Sequence, residues 1–62
     1  MKETLRERLE RTVKFLEGSH SELGRSIITY RDDNNFDGAA RAQIRMGELG
    51  LVLSILKSVL TN

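Results

Sequence analysis

The apolar positions of the first half of the chain fall on a seven-residue cycle. Leu9, Leu16, Leu23 and Tyr30 recur at that interval, and Val13, His20 and Ile27 recur at the same interval between them. Alternating steps of four and three are the signature of a heptad seam. The pattern therefore predicts one amphipathic helix over residues 2–32, with Glu7–Arg11 and Glu10–Lys14 as i,i+4 pairs on its polar side. An alternative reading ends a helix at Gly18 and starts another with Ser19-His20-Ser21-Glu22, which fits the S-x-x-E capping box. The seam stays in phase across Gly18 and Gly24, whereas a loop shifts the register, and this favours the continuous helix.

Arg31-Asp32-Asp33-Asn34-Asn35 is the one clear turn, because Asp and Asn bond their own backbone and tolerate left-handed conformations. The helix that follows has Asn35 as its N-cap, or Asn34 with Asp37 at the third position, and a carboxylate there suits the positive end of the helix. This second helix runs over residues 36–61, with a turn at 33–35. Its inner positions Phe36, Ala39, Ala40 and Ile44 give way to a tail in which Leu49, Leu51, Val52, Leu53, Ile55, Leu56, Val59 and Leu60 cover most of the circumference. A helix that is apolar nearly all round is buried on more than one side. The expected fold is thus all-α, a single antiparallel hairpin over 1–62 that self-associates into a four-helix bundle. Its oligomer interface is expected at Leu49, Val52, Leu53, Leu56, Val59 and Leu60. Gly47 and Gly50 fall opposite Gly18, Ser19 and Ser21, where small residues either let the helices approach or are merely tolerated.

Composition supports self-association. The 62 residues are 39% apolar and 31% charged, with nine Leu, four Ile and three Val, no Pro to break a helix and no Cys to form a disulfide or thiolate metal site. A core of this size is thin for a monomer. Ten Lys plus Arg against nine Asp plus Glu gives a net charge of +1, too balanced for a dedicated nucleic-acid or polybasic membrane binder. Met1 to Arg6 is charged and lacks the apolar core of a signal peptide, and Leu49 to Leu60 is too short to span a bilayer. The expectation is a cytoplasmic protein.

Candidate chemistry is sparse. Asp33-Asn34-Asn35-Phe36-Asp37-Gly38 matches the first half of a calcium loop, D-x-N-x-D-G, but position twelve, which needs a bidentate Glu, is Ile44. Helix capping is the better reading. His20, the only histidine, has no orienting carboxylate or nucleophile identifiable in the sequence and lies on the seam, as a polar residue that fixes register does. There is no E-x-x-H spacing, no G-x-S-x-G elbow and no glycine-rich phosphate loop, so no catalytic, cofactor or metal residue is assigned. Arg25, Arg31, Arg41 and Arg45 cluster near the turn and form a candidate partner or phosphate surface. Asp32, Asp33 and Asp37 stand at the same end, which favours a salt-bridged, solvated face over a nucleic-acid site.

Two resemblances bear on function. Asn35-Phe36-Asp37-Gly38-Ala39-Ala40, followed by Ile44 and Leu49, resembles the UVR motif, a short helical hairpin through which excision-repair proteins pair with one another. Phe36, Ala39 and Ala40 match its spacing, Gln43 stands near its Arg-Asp, and Gly38 replaces a helix former. The second half, with Phe36, Ala39, Ala40, Ala42, Gln43, Leu49, Val52 and Leu53, is similar to small hairpin proteins of tailed bacteriophages. The first implies a protein partner and the second a phage origin. Neither implies a catalytic residue.

Overall fold

Helix formation begins where the chain supplies its own cap. The Thr4 backbone is extended (φ −71°, ψ 162°), its Oγ1 accepts from the Glu7 N–H at 3.1 Å, and its N–H donates to Glu7 Oε1 at 3.0 Å. This reciprocal box satisfies two backbone donors and opens α1, Leu5–Asp32. The helix thus starts three residues later than the expected residue 2, because a Thr that caps cannot itself be helical. A computed structural model describes residues 2–61 of the chain.

The surface pairs also differ from those expected. Glu7 is engaged by the cap, so Arg11 pairs instead with Glu3 at 3.0 Å, and Glu10 pairs with Arg6 at 3.3 Å. The helix continues without interruption through Gly18 and Gly24. Ser19-His20-Ser21-Glu22 lies in its middle, and Glu22 bonds Arg25 at 2.9 Å instead of capping anything.

Two asparagines make the turn. The Asn35 N–H donates to the Tyr30 carbonyl (2.7 Å) and the Asn34 N–H to the Arg31 carbonyl (3.0 Å), while Asn34 takes a left-handed φ of 59°. That is a Schellman ending with Asn in the place Gly usually holds. Asn35 then caps α2, Phe36–Thr61, its Oδ1 accepting from the Gly38 N–H at 3.0 Å. Of the two caps the sequence allows, the structure selects Asn35.

The helices pack against each other as an antiparallel hairpin. From α1 the inward line is Leu9, Val13, Leu16, His20, Leu23 and Ile27, which is the heptad seam, with Tyr30 at its more exposed end. From α2 it is Ala39, Ala42, Met46, Leu49, Leu53, Leu56 and Leu60. The residues nearest the turn are small and let the axes approach: Gly38 lies beneath Tyr30, and Gly24 faces the Met46 methyl. Of the paired glycines expected at mid-hairpin, Gly50 sits under the His20 ring, whereas Gly18 and Gly47 face open space and are simply tolerated.

Phe36, Ala40 and Ile44, expected inside, are exposed. The inner face of α2 is set by Gly38, Ala39 and Ala42, and Ile44 precedes Met46 by two residues, about 200° around the helix. The resulting body measures 48 × 22 × 12 Å, with a radius of gyration of 14.6 Å. A compact chain of this length has about 10.6 Å.

Candidate functional site

The outer face of α2 carries a run of exposed apolar side chains. Ile44, Leu51, Val52, Ile55 and Val59 are all exposed, Leu51 to 65%, and they line the side turned away from α1. Their steps of seven, one, three and four keep them on one stripe of a 3.6-residue helix. The stripe divides the expected interface set. Val52 and Val59 belong to it. Leu53, 7% exposed, is buried inside the hairpin, and Leu49, Leu56 and Leu60 are half-buried along the seam with α1. Leu51, Ile55 and Ile44 were legible as apolar but not assigned to an interface, because a helix greasy on all sides does not announce which side its own partner takes.

Charge is distributed unequally between the two helices. α1 carries eleven Asp, Glu, Lys and Arg, and α2 carries five. In the tail of α2 beyond Glu48 the sole one is Lys57, which is held by Glu17 at 3.0 Å across the hairpin. This is the one ion pair joining the helices among the described residues. Glu48 is the single charged group set within the apolar stripe.

The four arginines near the turn do not form one patch. Arg41 and Arg45 share a groove with Ser26, Tyr30 and Asn35, and the Arg41 Nε donates to the Asp37 carbonyl one turn back at 3.4 Å. Arg25 lines a neighbouring groove, where its charge is met by Glu22. Arg31 stands at the Schellman ending, where a cation complements the carbonyl end of the helix.

His20 is half-buried on the flank, in a groove formed with Glu17, Ser21, Gly50, Ser54 and Lys57. The imidazole is packed over Gly50, and the nearest carboxylate in the groove, Glu17, is already bonded to Lys57. In the acidic turn, Asn35 directs its side-chain oxygen to a helix cap, and Asp37 and Gly38 are already helical. No group of three His, Cys, Asp or Glu among the described residues is placed to hold a metal ion, and no described helix is long and apolar enough to cross a membrane. The cap also acts on the Glu7 carboxyl. The Thr4 backbone N–H, and secondarily the Thr4 hydroxyl, hold its carboxyl below the usual carboxylate value.

Comparison with protein-family models, with curated proteins and with solved structures finds no match to this chain.

Proposed function

We propose that this chain is a non-enzymatic protein–protein interaction module, a small cytoplasmic regulator of phage type that works as a homo-oligomer. One observation carries the reading. The isolated hairpin exposes 5061 Å², whereas a compact monomer of its 7.1 kDa mass exposes about 4,100 Å². The excess of roughly 1,000 Å² is close to what one partner loses in a standard protein–protein contact, about 800 Å². The exposed apolar side chains on α2 are consistent with that use, since contiguous greasy surface on a soluble chain marks a contact site. The expected state at micromolar concentration is a dimer or tetramer. Sedimentation equilibrium tests this, and a cooperatively melting 7 kDa monomer refutes it.

A second reading is a nucleic-acid accessory protein. It is favoured by the groove in which Arg41 and Arg45 stand without a carboxylate partner among the described residues. Magnitude weighs against it. Two neutralised phosphates give a log–log salt slope of about −1.8, a loss of only ~12-fold between 50 and 200 mM salt, where dedicated binders with six to ten contacts lose 10³ to 10⁵. A slope steeper than about −4 with DNA or RNA would favour this reading over the first.

A further inference from the structure

We infer that the partner seated on the outer face of α2 is a second copy of this chain, docked through the same residues, Ile44, Leu51, Val52, Ile55 and Val59. The two α2 helices then lie inside the assembly and the two α1 helices outside. This inference rests on the homo-oligomer reading and names its contact.

Three observations lead to it. The first is chemical matching. The stripe offers five aliphatic side chains and one carboxylate, Glu48. The exposed surface of α1 carries Arg6, Glu10, Arg11, Lys14, Glu22 and Arg25, with Leu5, Phe15 and Ile28 standing apart from one another among them. Laying the stripe of one copy on α1 of another would take those charges out of water opposite side chains that cannot pair with them. The stripe of the other copy is the surface of this molecule that complements it.

The second is area. Two separate hairpins expose about 10,100 Å², and a compact body of twice the mass exposes about 6,800 Å². The difference of roughly 3,300 Å² is in the range of obligate homodimers, which hide 2,000 to 5,000 Å². Full compaction is reached only if the contact runs along the long axis of the hairpin. The stripe follows that axis, and Ile44 to Val59 covers about 22 Å of its 48 Å.

The third is symmetry. A face that binds its own copy does so about a two-fold axis, with one patch serving both partners. Lys57 and Ser54 lie off the stripe on the flank that holds His20, and Arg45 lies off it on the other flank beside Leu23 and Ser26, so Glu48 is the one charge set within the contact.

The test is sedimentation equilibrium of the full chain and its variants, with melting followed by circular dichroism across a range of protein concentrations. The expected wild-type result is a dimer, or a tetramer built from it, whose melting temperature rises with concentration. Leu51→Glu and Ile55→Glu should each weaken self-association at least 100-fold. Phe15→Glu, at a 72% exposed position on α1, should leave it within twofold. Because a hairpin deprived of its partner can lose its fold, the opposite change is also made. Glu48→Leu removes the one charge in the stripe and should tighten association tenfold or more with helicity retained. An oligomeric wild type whose affinity is unmoved by Leu51→Glu, Ile55→Glu or Glu48→Leu overturns this contact and leaves the homo-oligomer reading standing. A wild type that is monomeric at 100 µM overturns both, and assigns the stripe to a different protein.

Discussion

Replacing Gly38 by Ala should destabilise the hairpin, although the same change at Gly47 should stabilise it. Both residues are helical and neither has positive φ, so the backbone conformation treats them alike. In open helix, Ala is worth about 1 kcal/mol over Gly. A Cβ at Gly47 meets nothing within 4 Å, so that gain should be realised in full. A Cβ at Gly38 would lie 2.9 Å from Tyr30 Cδ1, 2.9 Å from Asn35 Nδ2 and 3.1 Å from Asn35 Cγ. The Asn35 amide cannot swing aside freely, because its Oδ1 bonds the N–H of Gly38 itself. Losing that cap costs about 1 kcal/mol, and pushing the Tyr30 ring off its rotamer costs about 1 kcal/mol more. The expected net loss for Gly38→Ala is about 1 kcal/mol, which separates the two variants by ~2 kcal/mol. At this chain length that is roughly 8 to 16 °C in melting temperature. Thermal melts followed at 222 nm and at one protein concentration measure it. A Gly38→Ala variant that melts above the wild type refutes the packing argument. A Gly47→Ala variant that melts lower places another chain against that face.

Three further outcomes are expected. Leu53→Ala, at a buried seam position, should cost ~2 to 5 kcal/mol, and half-buried Leu56 about 2, while Arg41→Ala should stay within ~0.5 kcal/mol; urea titrations compare them, and an unaffected Leu53→Ala contradicts the seam. Asn34→Ala forces a side chain without a local hydrogen-bonding group into φ 59° and should cost about 1 kcal/mol, whereas Asn34→Gly should cost nothing; equal melting of the two would mean that the left-handed ending is not formed. Glu7 has a depressed pKa in the folded chain, so its contribution is complete above the ordinary carboxylate value and is lost as pH falls through the depressed one. A carbon-detected NMR titration should find Glu7 below the ordinary glutamate value, and Thr4→Ala, which removes the hydroxyl but keeps the backbone donor, should shrink the depression without abolishing it.

Much of α1 was readable from sequence because its polar surroundings leave a single apolar line, Leu9 to Ile27, that can face inward. Its start was harder. Thr4-Leu5-Arg6-Glu7 and Ser19-His20-Ser21-Glu22 carry the same capping signature, and only the phase of the seam shows that the second must be interior. Individual ion pairs were not legible, since eleven charges on one helix offer each carboxylate several cations at similar distance. In α2 the difficulty is of another kind. Leu49, Leu53, Leu56 and Leu60 form one apolar line and Leu51, Val52, Ile55 and Val59 another, and hydropathy does not rank them. The choice is made at the turn, where Asn35 sets the angle at which α2 leaves and Gly38, Ala39 and Ala42 admit α1. Once those are inside, the helical repeat carries Leu53 inward and Ile55 outward.

The doubly capped turn also has a kinetic consequence. The contacts that join the helices form a ladder of rising sequence separation: Tyr30 with Gly38 spans 8 residues, Gly24 with Met46 spans 22, His20 with Gly50 spans 30, and Glu17 with Lys57 spans 40. Closing the last rung directly from the unfolded chain costs about 1.4 kcal/mol more loop entropy than closing the first. Once the asparagines have reversed the chain, each rung restricts only a few further residues. The hairpin is therefore expected to zip from its turn, with Tyr30, Asn35 and Gly38 ordered early and the Glu17–Lys57 bridge late. Unzipping runs the other way, so amide exchange should be slowest beside Ile27 and Ala42 and should quicken toward the open end.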